Sequence, residues 1–251
     1  MELQTFFQHT PSGALAFSGG TDSALLVWAA ARYGTGWRAY YVRSPFQPAF
    51  ELADARAVAA QCGLPLTVLE VDVLQNTTVA ANPADRCYHC KHAIFSAILA
   101  QAKADGHTLV IDGSNASDDA GDRPGMRALA ELSVRSPLRE CGLTKADVRR
   151  LSREAGLPTW DKPAYACLAT RVPTGTALTA DTLANVETAE ESLKALGFRD
   201  FRVRVRRDGA LVQVTADQMA LAAEKWDEIL RRLTPLFGQA VLDQNAREPS
   251  A

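Results

Sequence analysis

One hexapeptide, Ser18-Gly19-Gly20-Thr21-Asp22-Ser23, constrains this chain more than any other feature. It follows an apolar, β-rich run, Ala14–Phe17, and leads into a helically spaced apolar stretch through Leu25, Leu26 and Ala29. Two adjacent glycines let the backbone approach a ligand and turn its amides inward, while the helix start adds unpaired N–H groups and the positive end of its dipole. Ser18 and Ser23 add hydroxyl donors. A strand, such a loop and a helix in succession form an anion cradle; the plain alternative is a glycine turn that only caps a helix. The segment is neither the longer, lysine-bearing P-loop nor the GxGxxG dinucleotide loop.

The surrounding pattern gives the cradle a sheet to sit on. Ala14–Phe17, Arg38–Val42, Leu66–Val71, Thr108–Ile111 and Leu132–Val134 read as strands. Helical spacing lies between them, as in Leu52, Ala55, Val58, Ala59 and Cys62 before Gly63, or Ile94, Ile98 and Ala102 before Gly106. Strands alternating with helices predict an α/β fold, a doubly wound and mostly parallel sheet, with ligands at the carboxyl ends of its strands. Leu143–Gly156 reads as a further helix, with Thr144 at the N-cap and Asp147 at N3.

After about residue 160 the pattern changes. The prolines of Leu157–Pro163 predict the exit from a first domain spanning 1–160, and residues 161–178 read as a linker. Residues 179–251 predict a small α+β domain: a helix over Thr179–Leu196, a hairpin of Phe201–Arg206 and Leu211–Thr215, and a helix near Asp217–Phe237. Leu183, Val186, Ala189, Leu193 and Leu196 form the apolar stripe of the first of these helices.

Five cysteines, odd in number and irregularly spaced, do not form the framework of a small secreted disulfide domain. Cys87 and Cys90, in Cys87-Tyr88-His89-Cys90-Lys91, can converge on one metal or exchange as a dithiol at the mouth of a helix beginning near Lys91, or be incidental thiols. Cys167 stands apart, with Lys162 and Arg171 as neighbours able to favour a thiolate; a core cysteine is the plain alternative. Cys62, on an apolar helix face, and Cys141 are left out of the site. His89 and His92 flank Cys90 as metal-ligand candidates or as surface histidines, and Asp118 and Asp119 are candidates for magnesium or for a solvated loop.

With 27 basic and 29 acidic residues and a net charge of −2, the chain offers no bulk attraction for a nucleic-acid backbone or an anionic membrane. A small-molecule substrate is favoured over nucleic acid. No basic leader with an apolar core follows Met1 and no run of eighteen apolar residues occurs, which predicts a cytoplasmic protein without a membrane span.

The hexapeptide resembles the PP-loop of the N-type ATP pyrophosphatases, which cleave ATP between its α and β phosphates. A more specific resemblance, to the LarE-type ATP-dependent sulfur transferases of nickel-pincer cofactor synthesis, rests on five blocks in order. These are Ser18–Ser23; Asp85–Lys91; Asp112-Gly113-Ser114-Asn115 with Arg123-Pro124-Gly125; Ser136-Pro137-Leu138 with Gly142–Lys145; and Lys162-Pro163-Ala164 with Cys167–Arg171. Glu190-Glu191 and Arg204-Val205-Arg206 extend it into the second domain. The sequence departs from the family at Gln213, near which members carry an acidic residue, and after Asp243, where a Gly-Tyr-Arg-rich end is missing.

The resemblance implies ATP and Mg²⁺ as reactants, a nucleotide-like carboxylate as acceptor, and a homo-oligomer. It implies that Ser18, Gly19, Gly20, Asp22 and Ser23 hold pyrophosphate and that Arg204, Arg206 and Glu191 hold the acceptor's phosphate. Cys167 becomes the sulfur-handling residue, either giving up its own sulfur or joining Cys87 and Cys90 around a four-iron four-sulfur cluster that carries an extra sulfide. A tRNA-thiolating PP-loop enzyme, a glutamine-fed ligase and a nucleotide-binding module with a structural zinc at Cys87 and Cys90 remain the alternatives.

Overall fold

The computed structural model describes residues 2–118 and 123–249, with the side chain of Arg123 outside that set. It divides into two compact units, one formed by 1–73 and 84–162, the other by 74–83 and 163–251. The segment Leu74–Pro83 therefore belongs with the C-terminal unit, a discontinuity that local sequence pattern does not display. Within that unit Asn82 is buried, and its amide donates to the Pro173 carbonyl at 2.9 Å. Residues 163–178 are part of the same compact body.

In the first unit, β1 (Ser12–Ala16), β2 (Gly36–Arg43), β3 (Leu66–Glu70) and β4 (Val110–Ile111) form a parallel sheet in the order β3-β2-β1-β4. Side-chain alternation gives the sheet two apolar faces. Leu15, Ala39, Tyr41 and Ile111 enter one core with Leu25 of α2 (Thr21–Tyr33), Val58 of α3 (Ala49–Cys62) and Val148 of α8 (Lys145–Glu154). Ala14, Tyr40, Val42 and Val110 enter the other, against Phe95 and Ile98 of α5 (Arg86–Ala104) and Leu129 of α6 (Arg123–Glu131). Helices on both faces make the expected doubly wound α/β fold. A short α1 (Leu3–His9), which the sequence reading did not anticipate, puts Phe6 and Phe7 into the first core.

The strand expected at Leu132–Val134 does not form. Ser133 takes a left-handed φ of 55° after α6, and α7 (Pro137–Glu140) begins soon afterwards, which leaves only a bridge between Ile111 and Arg135. Helix α5 starts at Arg86 rather than near Lys91, because neither glycine nor proline interrupts the chain between Pro83 and Gly106. The Thr144–Asp147 capping box is present as expected.

In the second unit, the short α4 (Thr77–Ala80) precedes α9 (Ala180–Ala195), which buries Leu183, Val186, Ala189 and Leu193. The strands β5 (Phe201–Arg206) and β6 (Gly209–Val214) pair antiparallel, and an unanticipated β7 (Ala240–Leu242) adds parallel to β6. The helix expected near Asp217–Phe237 is divided at Lys225 into α10 (Met219–Glu224) and α11 (Trp226–Phe237). Among the described residues no helix is long and apolar enough to cross a membrane.

Candidate functional site

The sheet order places a topological switch between β1 and β4: the chain moves outward through β2 and β3, then returns to the other side of β1. Loops leaving the carboxyl ends of two such strands diverge and open a crevice for a ligand. Here those loops are Ser18–Ser23 and Asp112–Asn115. Gly19 has φ 78°, and a Cβ there would come 2.7 Å from the Glu51 carbonyl oxygen, so glycine is required twice over. Gly20 is the N-cap of α2 and has no side chain to donate to, which leaves the first-turn amides of Thr21, Asp22 and Ser23 without intrahelical acceptors. Ser18 and Ser23 place their Oγ atoms 3.1 Å apart, and Ser23 is buried against the Gly20 carbonyl.

The loop is fixed by residues from far along the chain. Asp22 accepts from Asn115 Nδ2 at 3.0 Å and from Lys145 Nζ at 2.5 Å. Buried Asn115 also draws in Asp118, whose carboxylate accepts the Asn115 amide at 2.8 Å. Asp118 therefore closes the loop it sits in; Asp119 lies outside the described residues. Thr21 Oγ1 donates to the Thr159 carbonyl at 2.8 Å, and Lys162 Nζ reaches both the Gly19 carbonyl at 3.2 Å and Asp54 at 2.6 Å. Gly113 is a close-approach glycine: a Cβ there would lie 3.0 Å from the Ser23 amide nitrogen. Beside it, buried Asp112 accepts from Ser114 and Ser136 at 2.5 and 2.6 Å. Burial raises the Asp112 carboxyl above the usual range, against the opposing pull of those hydroxyls and of the Lys91 charge.

Cys87 and Cys90 lie three residues apart in the first turn of α5, hence on one side of it. His89 is engaged by Asp85 at 3.3 Å, and His92 Nδ1 lies 3.5 Å from Ser96 Oγ. Cys62 and Cys141 pack against the main core, and burial raises both thiols. Within neither unit do three or more described His, Cys, Asp or Glu side chains gather as a metal site.

In the second unit Cys167 is the N-cap of a 3-10 turn, Leu168–Arg171, and its carbonyl accepts from Thr170 N and Oγ1 at 3.0 and 2.8 Å. Arg171 is buried and forked onto Glu190, with Nε–Oε1 at 2.8 Å and Nη2–Oε2 at 3.0 Å, and it donates to the Ala166 carbonyl at 2.8 Å. Burial works against the Arg171 charge, but Glu190 and the anionic forms of Tyr165 and Cys167 outweigh it and hold the guanidinium protonated. Arg202, Arg204 and Arg206 alternate onto one face of β5. Burial and the charges of Arg171 and Arg247 bring Arg202 down to about 10 and lower Arg204 in the same way. Arg204 donates to Gln213 at 2.5 Å and to the Thr170 carbonyl at 3.0 Å, and Gln213 in turn donates to Asp243 at 2.7 Å.

No protein-family model matches the chain. Individual relatives match it over most of its length. It is 37% identical over 218 residues to an uncharacterized protein of Synechocystis sp., covering 86% of this chain and 81% of that one. It is 32% identical over 232 residues to the pyridinium-3,5-bisthiocarboxylic acid mononucleotide synthase of Lactiplantibacillus plantarum, covering 91% of this chain and 84% of the relative. The chain belongs to the LarE family. An uncharacterized protein of Methanocaldococcus jannaschii shares 28% identity over 218 residues, with 87% and 83% coverage.

Of the residues expected from the LarE resemblance, Ser18, Gly19, Gly20, Asp22 and Ser23 form one loop at the switch point. Arg204 and Arg206 share a strand face, although Arg206 lies at the exposed end, 3.4 Å from Asp208. Glu191 is turned to solvent; its neighbour Glu190 is the buried carboxylate, meeting Arg171, Tyr165 and the Val203 amide. Glu190 was legible in principle, since positions 183, 186, 190 and 193 form a continuous helical stripe. A glutamate in an apolar stripe requires a buried cation as partner. Lys145, Asn115 and Lys162 carried no such local signal as partners of the loop. Lys162, expected to favour a Cys167 thiolate, directs its ammonium to Asp54 and Gly19.

Proposed function

We propose that this LarE-family chain is an ATP-dependent sulfur transferase that converts a carboxylate of a nucleotide-like acceptor into a thiocarboxylate, in nickel-pincer cofactor synthesis. The observation that carries the reading is the amide cradle of Ser18–Ser23 at the β1/β4 switch point, in a chain related over most of its length to a bisthiocarboxylic acid mononucleotide synthase. The acceptor carboxylate attacks the α-phosphorus of ATP, the α–β bridge breaks, and pyrophosphate leaves into the cradle with its Mg²⁺. Ser18 and Ser23 hydroxyls and the amides at the α2 start meet the charge as it develops. Arg204 and Arg206, on one face of β5, orient the acceptor's phosphate by charge-assisted hydrogen bonds, and Glu191, exposed on α9, accepts from a hydroxyl of the same acceptor.

Cys167 handles the sulfur. Its thiolate attacks the acyl carbon and expels AMP, giving a thioester; loss of the Cα proton and cleavage of Cβ–Sγ then release the thiocarboxylate and leave dehydroalanine. A second reading is favoured by the placement of Cys87 and Cys90 on one side of the first turn of α5. Those two thiolates and Cys167 would hold a four-iron four-sulfur cluster, which supplies, when bound, a site for added sulfide at an iron without a protein ligand. The test is acceptor-dependent pyrophosphate release: wild type should release it, and Ser18→Ala should not while keeping its melting temperature. Undiminished release by that variant removes the cradle from the mechanism.

A further inference from the structure

We propose that Lys162 is the pyrophosphate-binding cation of the loop, parked on Asp54 until the anion arrives. The inference deepens the reading of Ser18–Ser23 as a pyrophosphate cradle and rests on it. The hexapeptide has no cation of its own. Its single charged residue, Asp22, is anionic and is matched by Lys145 at 2.5 Å. Asp54 and Lys162 cancel likewise at 2.6 Å. Four charges around the loop thus sum to zero, whereas the departing group is multiply anionic. The loop amides and the Ser18 and Ser23 hydroxyls are neutral donors, so no protein cation meets the anion with its Mg²⁺ unless one ammonium changes partner.

Lys162 is built to change partner. Its Nζ already lies 3.2 Å from the Gly19 carbonyl, so it sits against the loop and needs only to trade one carboxylate for a phosphate oxygen. Asp54 is 42% exposed and can be resolvated on release, whereas the Lys162 side chain is 18% exposed and stays beside the loop. The Phe50 ring, 5.2 Å from Nζ, offers a cation–π surface that keeps the ammonium in place during the exchange. The backbone does not have to move: Arg149 holds the Trp160 and Lys162 carbonyls at 3.0 and 3.1 Å, and Pro163 fixes the next φ. A lysine suits the task because it is a compact charge on a flexible stem.

The experiment titrates magnesium pyrophosphate calorimetrically into the full-length protein, with thermal unfolding as the check on folding. Asp54→Asn frees the ammonium and should tighten binding by roughly three- to tenfold, while Lys162→Met should weaken it by about ten- to a hundredfold. With Lys162→Met in place, adding Asp54→Asn should recover little of that gain, since the carboxylate acts through the lysine. A merely structural ion pair would make Asp54→Asn bind more weakly or unchanged, and that result overturns the proposal, as does a tightening that persists undiminished without the lysine. If Lys162→Met fails to fold, Asp54→Asn alone decides. Wild-type protein that binds no pyrophosphate would instead sink the cradle reading itself, and this inference with it.

Discussion

Replacing Glu190 tests how the Cys167 segment is held. Its carboxylate accepts Arg171 Nε and Nη2 at 2.8 and 3.0 Å, the Val203 amide at 2.9 Å, and the Tyr165 hydroxyl. Both charged partners are nearly inaccessible, at 1% for the Arg171 side chain and 4% for Glu190. Glu190→Ala leaves a buried guanidinium without its counter-charge and strands two other donors, and removing one member of a buried pair costs about 3–5 kcal/mol. Glu190→Gln keeps one carbonyl acceptor but presents an amide to the second arm of Arg171, so a smaller loss of about 2–3 kcal/mol is expected. Against a typical domain stability of about 5–15 kcal/mol, the alanine change threatens folding at ambient temperature. Urea titration read by amide exchange in α9 and β5 measures the loss in the unit concerned. Glu191→Ala, on the exposed side of the same helix, is the control and should stay within about 0.5 kcal/mol of wild type. The reasoning fails if Glu190→Ala is no more costly than that control.

Three further outcomes follow from the site. Intact mass after one reaction cycle reads the fate of Cys167 sulfur: sacrifice lowers the mass by about 34 Da, the mass of H₂S. With the cluster, the mass is unchanged, iron is bound, and Cys87→Ser or Cys90→Ser abolishes its colour. Arg204→Ala with Arg206→Ala should raise KM for a phosphorylated acceptor about tenfold or more while leaving KM for ATP within about twofold; equal effects on both would mean a structural role. Asp112 has its carboxyl raised in the folded state, so between its unfolded and folded values the native form binds the extra proton and stability falls as pH rises. Asp112→Asn should therefore gain stability relative to wild type as pH rises above about 4, the usual aspartate value, and a difference in denaturation midpoints that stays flat with rising pH would contradict the burial argument.

The elements legible in the sequence were those set by local chemistry. Gly63, at φ 71°, ends α3 where the apolar period stops, and Thr144 with Asp147 caps α8. The PP-loop was legible because its glycines answer to a local geometry, a left-handed turn pressed against α3. Helix α5 begins at Arg86, ahead of the start near Lys91 that the sequence suggests, because Cys87–Lys91 reads as a motif although it lies within an uninterrupted helical stretch. The false strand at Leu132–Val134 had suitable side chains but lacked the chain length to pair between Ser133 and Pro137. β7 and the membership of Leu74–Pro83 in the second unit depend on pairings between distant segments, and no period in the sequence reports those.

The same division explains why the loop was found and its charges were not. The amides that face an anion come from six consecutive residues, so they are a word that can be read. The ammonium groups beside them come from 123 and 143 residues downstream of their loop partners. Lys145 and Lys162 stand in two of the blocks that carry the LarE resemblance, but nothing local in those blocks ties either ammonium to the loop. Each instead begins or ends an element: Lys145 is the first residue of α8, whose cap box fixes the backbone, and Lys162 closes the first unit just before a proline. Fixing the backbone at both places lets a flexible side chain span the remaining distance, so the loop can borrow cations without carrying one. A lysine inside the hexapeptide would have to share the tight turn that Gly19 and Gly20 make. Distant lysines instead leave that turn free to present its amides, and their ion pairs with Asp22 and Asp54 balance the charges beside it.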